Sequence, residues 1–116
     1  MRYSLLIYDV EDRSMSEEER KAEYQKYMDF AQAAAEAGVM AGGHELHAAS
    51  TATTIRIRDG KTTTVDGPFA ETKEILGGLF ILELPNLDAA IEWAAKLPAA
   101  ATGSIEIRQV VGETQN

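Results

Sequence analysis

An α+β fold, in which an antiparallel sheet carries two helices on one face, is what this sequence predicts, and three observations predict it. Runs rich in β-branched, aromatic or leucine residues stand at 2–8, 52–58, 79–84 and 104–111. Two segments with apolar residues at three- and four-residue spacing alternate with them. An Asp59-Gly60 turn signal closes a hairpin in the middle of the chain. The 116 residues suit one domain, 1–111, followed by a polar tail, 112–116.

Each element has its own reason. Residues 2–8 carry Tyr, Leu and Ile on both alternating faces, the pattern of a strand covered from both sides. Ser16 and Glu19 make a capping box, and Glu17 to Glu19 complement the dipole of the helix that starts there. Tyr24, Tyr27, Met28, Ala31, Ala34 and Ala35 form its apolar stripe, and Gly38 suits its C-terminal cap. Gly42 and Gly43 read as a turn. Thr53, Ile55 and Ile57 then alternate with Thr54, Arg56 and Arg58, and Lys61 to Val65 return from the hairpin turn. Leu79 to Leu84 is a nearly continuous apolar strand ended by Pro85. A second helix runs from a cap at Asn86 through Leu87, Ala90, Ile91, Ala94 and Ala95 to Pro98, with Trp93 as a packing residue, and Ser104 to Val111 is the last strand. The order is a ferredoxin-like plan with a hairpin inserted between its two halves. Its second sheet face, carrying Leu6, Tyr8, Phe80 or Leu82, is uncovered in one chain, and a two-fold dimer packing sheet on sheet is the simplest closure.

Composition excludes several classes. A formal net charge of -8 is unfavourable for nucleic acid or an anionic membrane as partner. The absence of cysteine removes disulfides, thiolate metal sites and cysteine nucleophiles. The apolar run at the N-terminus is too short for a signal peptide and has no small-residue cleavage site after it, so a cytoplasmic location is expected.

The densest stretch is Asp66-Gly67-Pro68-Phe69-Ala70-Glu71-Thr72-Lys73-Glu74, which puts a turn, one aromatic ring and four ionisable side chains into nine positions. It reads as a site-building loop. Together with Leu76-Gly77-Gly78, Tyr3 to Tyr8, Thr51 to Arg56 and Ile105 to Arg108, it resembles the DGPF group of the YCII-related family over nearly the whole chain. The resemblance implies a ferredoxin-like subunit forming a dimeric α+β barrel. Similar proteins are often encoded beside, or fused to, sigma factors of the extracytoplasmic-function type, and a related branch includes a dehydrochlorinase acting on a hydroxylated aromatic. Two departures stand out. The typical branch pairs a first-helix His with an Asp, whereas this helix offers Tyr24, Tyr27 and Phe30, and Gln109 follows Arg108 where the group usually has Pro.

Asp66 is the first candidate general base, and the same carboxylate could instead cap the turn at Gly67 and Pro68. Glu71, Lys73 and Glu74 either hold an anionic substrate or pair with one another. His44 and His47 are the only histidines. An extended backbone points them to opposite faces, and His44, directly after the glycine pair, is preferred as the partner of Asp66. His44-Glu45-Leu46-His47 lacks the helical zinc spacing, so no metal is expected. Arg56 and Arg108 lie on polar strand faces, suited to a carboxylate or phenolate or to pairing with Glu106, while Tyr8 and Phe69 complete the ligand-binding candidates.

The reading is a homodimer binding a small polar or aromatic molecule in a cleft beside the Asp66 loop. Any enzymatic role would be cofactor-free proton transfer of the isomerase or lyase type, with Asp66 as base and His44 as acid or orienting group. The alternative is a non-catalytic sensor or interaction module working with a sigma factor.

Overall fold

The computed structural model describes residues 1–112. In chain order it contains β1 (Arg2–Asp9), α1 (Glu17–Glu36), β2 (Met40–Glu45), a 3-10 turn (Ala49–Thr51), β3 (Thr53–Arg58), β4 (Lys61–Asp66), β5 (Ile75–Glu83), α2 (Leu87–Ala94), α3 (Ala99–Thr102) and β6 (Ser104–Gln109). Four strands form an antiparallel sheet in the order β2-β5-β1-β6, and β3 and β4 form a separate two-stranded hairpin. The architecture is mixed α+β, compatible with a ferredoxin-like subunit. The expected polar tail lies, from residue 113 on, outside the described residues.

α1 begins where its capping box requires. The Ser16 hydroxyl accepts from the Glu19 backbone N–H at 3.1 Å, and the Glu19 carboxylate accepts from the Ser16 backbone N–H at 2.8 Å. Those bonds hold the Glu19 carboxyl below its ordinary pKa. Phe30 and Ala34 are buried and Tyr27 packs against the core, but Tyr24 and Met28 are exposed. The buried stripe therefore runs through Glu23, Tyr27, Phe30, Ala31 and Ala34, one helical step away from the stripe expected from Tyr24 and Met28. α2 starts at Asn86, whose side chain accepts from the Ala89 backbone N–H at 2.9 Å. It ends at Ala94, and Pro98 opens the short α3.

The core lies between the helices and one sheet face. Tyr3, Leu5 and Ile7 of β1 and Leu82 of β5 are buried there with Phe30, Ala34, Ala90, Ala94, Leu97 and Ala99. The Phe30 ring lies 4.8 Å from Phe80, tilted at 47° to it, and edge-on at 5.7 Å from Trp93, so both helices cover the face that carries Phe80. Phe80 and Leu82 are thus core residues, contrary to their expected place on the uncovered face. Residues opposite one another in a sheet share a face, and Leu5 opposes Phe80 while Leu6 opposes Leu79. The uncovered face is built on Leu6, Tyr8, Leu79 and Ile81.

The glycine pair expected as a turn is part of β2, with Gly43 opposite Phe80 and His44 opposite Leu79. A Cβ on Gly43 would stand 2.7 Å from Phe80 Cδ1, so the glycine is there to admit the aromatic ring across the strand pair. The consequence is that the first half of the fold has its own second strand, and the hairpin is an addition.

Candidate functional site

The uncovered face has an ordered chemistry. One row runs across all four strands, His44 opposite Leu79, Leu79 opposite Leu6, and Leu6 opposite Glu106, giving polar, apolar, apolar, polar. Leu6 and Leu79 are half-buried; His44 and Glu106 are exposed. A neighbouring row joins Ile81, Ser4 and Arg108, and the Ser4 hydroxyl donates to the Arg108 carbonyl at 3.0 Å. Tyr8 follows Leu6 by two residues on the same face, opposite Ser104 and Leu76. Tyr8, His44 and Arg108 therefore share one surface. With strands about 4.8 Å apart, His44 on β2 and Arg108 on β6 stand at opposite sides of it, roughly 14 Å apart across the sheet.

The start of the Asp66 loop is tied to the root of its own hairpin. The Gly67 backbone N–H donates to the Ala52 carbonyl at 2.6 Å and the Thr54 hydroxyl donates to the Gly67 carbonyl at 2.8 Å, while Gly67 takes a φ of 96° that favours glycine. Asp66 is exposed at the end of β4, opposite Thr53, and its carboxylate makes no hydrogen bond or ion pair among the described residues. The turn is closed by backbone and Thr54. Phe69 is 78% exposed. Glu71 and Lys73 are exposed, and Arg56 stands on the hairpin opposite Thr63. Glu74 reaches the sheet: its carboxylate accepts from the Ser104 hydroxyl at 2.8 Å, and its carbonyl accepts from the Thr72 hydroxyl at 2.7 Å. Ser104 is the residue opposite Tyr8, so the loop ends beside the uncovered face. No bond among the described residues joins His44 to Asp66, which stand on different sheets.

A profile of the YCII-related domain matches residues 1–114. The chain belongs to the YCII-related family. It is 36% identical over 114 residues to an uncharacterised protein of Rhizobium meliloti (strain 1021), an alignment covering 93% of this chain and 90% of that one.

In this YCII-related chain a second polar cluster forms where β1 meets α1 and α3. Arg13 Nη2 lies 2.5 Å from Glu23 Oε1 and Arg13 Nη1 lies 3.6 Å from Asp9 Oδ2. The Thr102 hydroxyl donates to Asp9 Oδ2 at 2.7 Å, and the Val10 backbone N–H donates to Asp9 Oδ1 at 2.8 Å. The bond to Glu23 raises the Arg13 pKa. Burial, reinforced by the Glu23 charge, pushes the nearby Tyr27 phenol up to about 12. The sequence reading missed this cluster, although Asp9 and Arg13 stand four apart and Glu23 lies one helical turn before Tyr27. Among the described residues no three His, Asp or Glu side chains gather as metal ligands. None of the described helices is long and apolar enough to cross a membrane.

Proposed function

We propose that this YCII-related protein is a homodimer that binds a small polar or aromatic molecule on the uncovered sheet face beside the Asp66 loop. The observation that carries the reading is the row His44, Leu79, Leu6, Glu106: an apolar floor with a titratable ring at one end and a carboxylate at the other. A planar ligand lies on Leu6 and Leu79, and its polar substituents meet His44, Glu106 and the Tyr8 hydroxyl. Turnover on such a ligand is cofactor-free proton transfer of the isomerase or lyase type, with Asp66 as base and His44 as acid or orienting group. The test is calorimetry with a panel of hydroxylated aromatics and aromatic carboxylates. The expected result is a panel member whose affinity falls at least about tenfold in both His44→Ala and Glu106→Gln. Failure of the whole panel to bind, or binding indifferent to both changes, overturns the reading.

A second reading is favoured by one observation. Phe69, 78% exposed at the tip of the loop, suits a docking surface for a protein partner, as in an interaction module working with a sigma factor. Loss of partner capture on Phe69→Ser, with small-molecule binding absent, would select it.

A further inference from the structure

β6 is an open edge. The main sheet runs β2-β5-β1-β6, and among the described residues no strand lies beyond β2 or β6. β2 blunts its own side with the glycine pair and a register shift between Met40 and Gly42. β6 has neither. Ser104 to Gln109 contain no glycine or proline, and they pair with β1 without interruption, from Ser104 opposite Tyr8 to Gln109 opposite Tyr3. Such an edge presents a row of backbone donors and acceptors to another strand.

The phase of the ladder fixes which groups face out. The Val110 backbone N–H donates to the Arg2 carbonyl at 2.8 Å, and bonding to one antiparallel neighbour recurs at every second residue. Ser104, Glu106 and Arg108 therefore direct their backbone groups to β1, while Ile105, Ile107 and Gln109 direct theirs to the open side. A second antiparallel β6 can bond only in registers that set outward residues opposite outward residues.

Charge selects among those registers. Glu106 and Arg108 lie two residues apart on the uncovered face, both exposed, and neither side chain makes a hydrogen bond or ion pair among the described residues. Centring two strands on Ile107 sets Glu106 opposite the partner's Arg108 and Arg108 opposite the partner's Glu106. Both pairs fall at non-hydrogen-bonded positions, where facing side chains approach most closely. Moving the centre to residue 106 or 108 sets carboxylate against carboxylate or guanidinium against guanidinium, and larger shifts leave both charges unpaired. On the helix side Ile107 meets the partner's Ile107, so the apolar groove between Ile91, Ala95 and Ile107 adjoins its own copy.

We propose that two copies of this chain join along β6, antiparallel and centred on Ile107, into one continuous sheet. Leu6 and Leu79 stay open to ligand, and the partner's Arg108 stands beside Glu106 at the end of the row, so a bound carboxylate meets a cation from the second copy. This rests on the homodimer proposed above, whose interface becomes the strand edge rather than the sheet face.

Sedimentation equilibrium of the full-length protein and its variants is the test. Glu106→Arg or Arg108→Glu alone sets like charges around the axis, and each is expected to weaken the dimer at least about 10-fold. An equimolar mixture of these two variants is expected to regain wild-type affinity as a heterodimer, because every cation then opposes a carboxylate across the axis. Gln109→Pro removes an outward N–H and none of the bonds to β1; it is expected to weaken the dimer at least about 10-fold, while Gln109→Ala leaves it unchanged. The mixture decides where Gln109→Pro does not fold. Folded single variants that form no heterodimer overturn the proposal. A dimer indifferent to Gln109→Pro and lost in Leu79→Glu overturns edge pairing while keeping the homodimer, and a monomeric wild type overturns both.

Discussion

Arg13 and Glu23 clamp the loop after β1 to the first half of α1, their charged atoms 2.5 Å apart and both side chains less than a quarter exposed. The clamp matters because Asp9, joined to the same guanidinium, ends the strand that carries Leu6 and Tyr8. Replacing Arg13 with Met removes the partner of two half-buried carboxylates. A loss of about 1–3 kcal/mol is expected, read as a lower urea midpoint at unchanged slope. Glu23→Gln retains an acceptor and loses less. Equal, negligible effects of both would show the clamp to be a solvated contact.

Tyr27 makes the fold sensitive to alkali. Its folded pKa, about 12, lies above the ordinary value near 10, so the fold favours the neutral phenol. That contribution is fully present below pH 10 and is lost as pH rises from 10 through about 12. Ultraviolet titration should show one of the four tyrosines ionising last, and Tyr27→Phe should remove that step and flatten the fall in stability over the same window.

Gly103 joins α3 to β6 against the end of β1. A Cβ there would stand 2.9 Å from Asp9 Cα and would also run into the Tyr8 carbonyl, both backbone. Gly103→Ala should cost about 3 kcal/mol or more, because neither neighbour can rotate away. Gly77→Ala, with nothing near its added carbon, is the control and should unfold within a few degrees of wild type. Similar melting of the two would show that the strand end yields.

Asp66→Asn should leave the melting temperature unchanged, since the carboxylate is exposed and without a bonded partner among the described residues. A fall of several degrees would mean that the carboxylate caps the loop after all. With folding preserved, any loss of ligand affinity or turnover belongs to function.

Local chemistry was legible in the sequence wherever one residue acts on its neighbours. The Ser16 and Glu19 box, the Asn86 cap, and the Asp59-Gly60 turn, with φ of 52° and 75°, all stand where the residues put them. β2 was not legible, because a glycine pair signals a turn until Phe80 of a strand far along the chain is known to need the space over Gly43. The assignment of Phe80 to the wrong sheet face has a similar origin: Leu79 to Leu84 is apolar on both faces, so alternation gives no direction. The candidate loop was recognised from its residue types. Its reach to the sheet depends on Glu74 meeting Ser104, thirty residues on, which no local pattern records.

By itself the sequence determined the family, the types of the elements other than β2 and the short α3, the start of each long helix and the identity of the chemically able side chains, since these follow from short-range backbone and side-chain preferences. Tertiary structure alone decided that His44, Leu79, Leu6 and Glu106 stand in one row, that Arg13 joins Asp9 to Glu23, and that the hairpin stands clear of the body. Strand register and the burial of one face are set by summed packing across the sheet, where a shift of one residue would exchange the two faces.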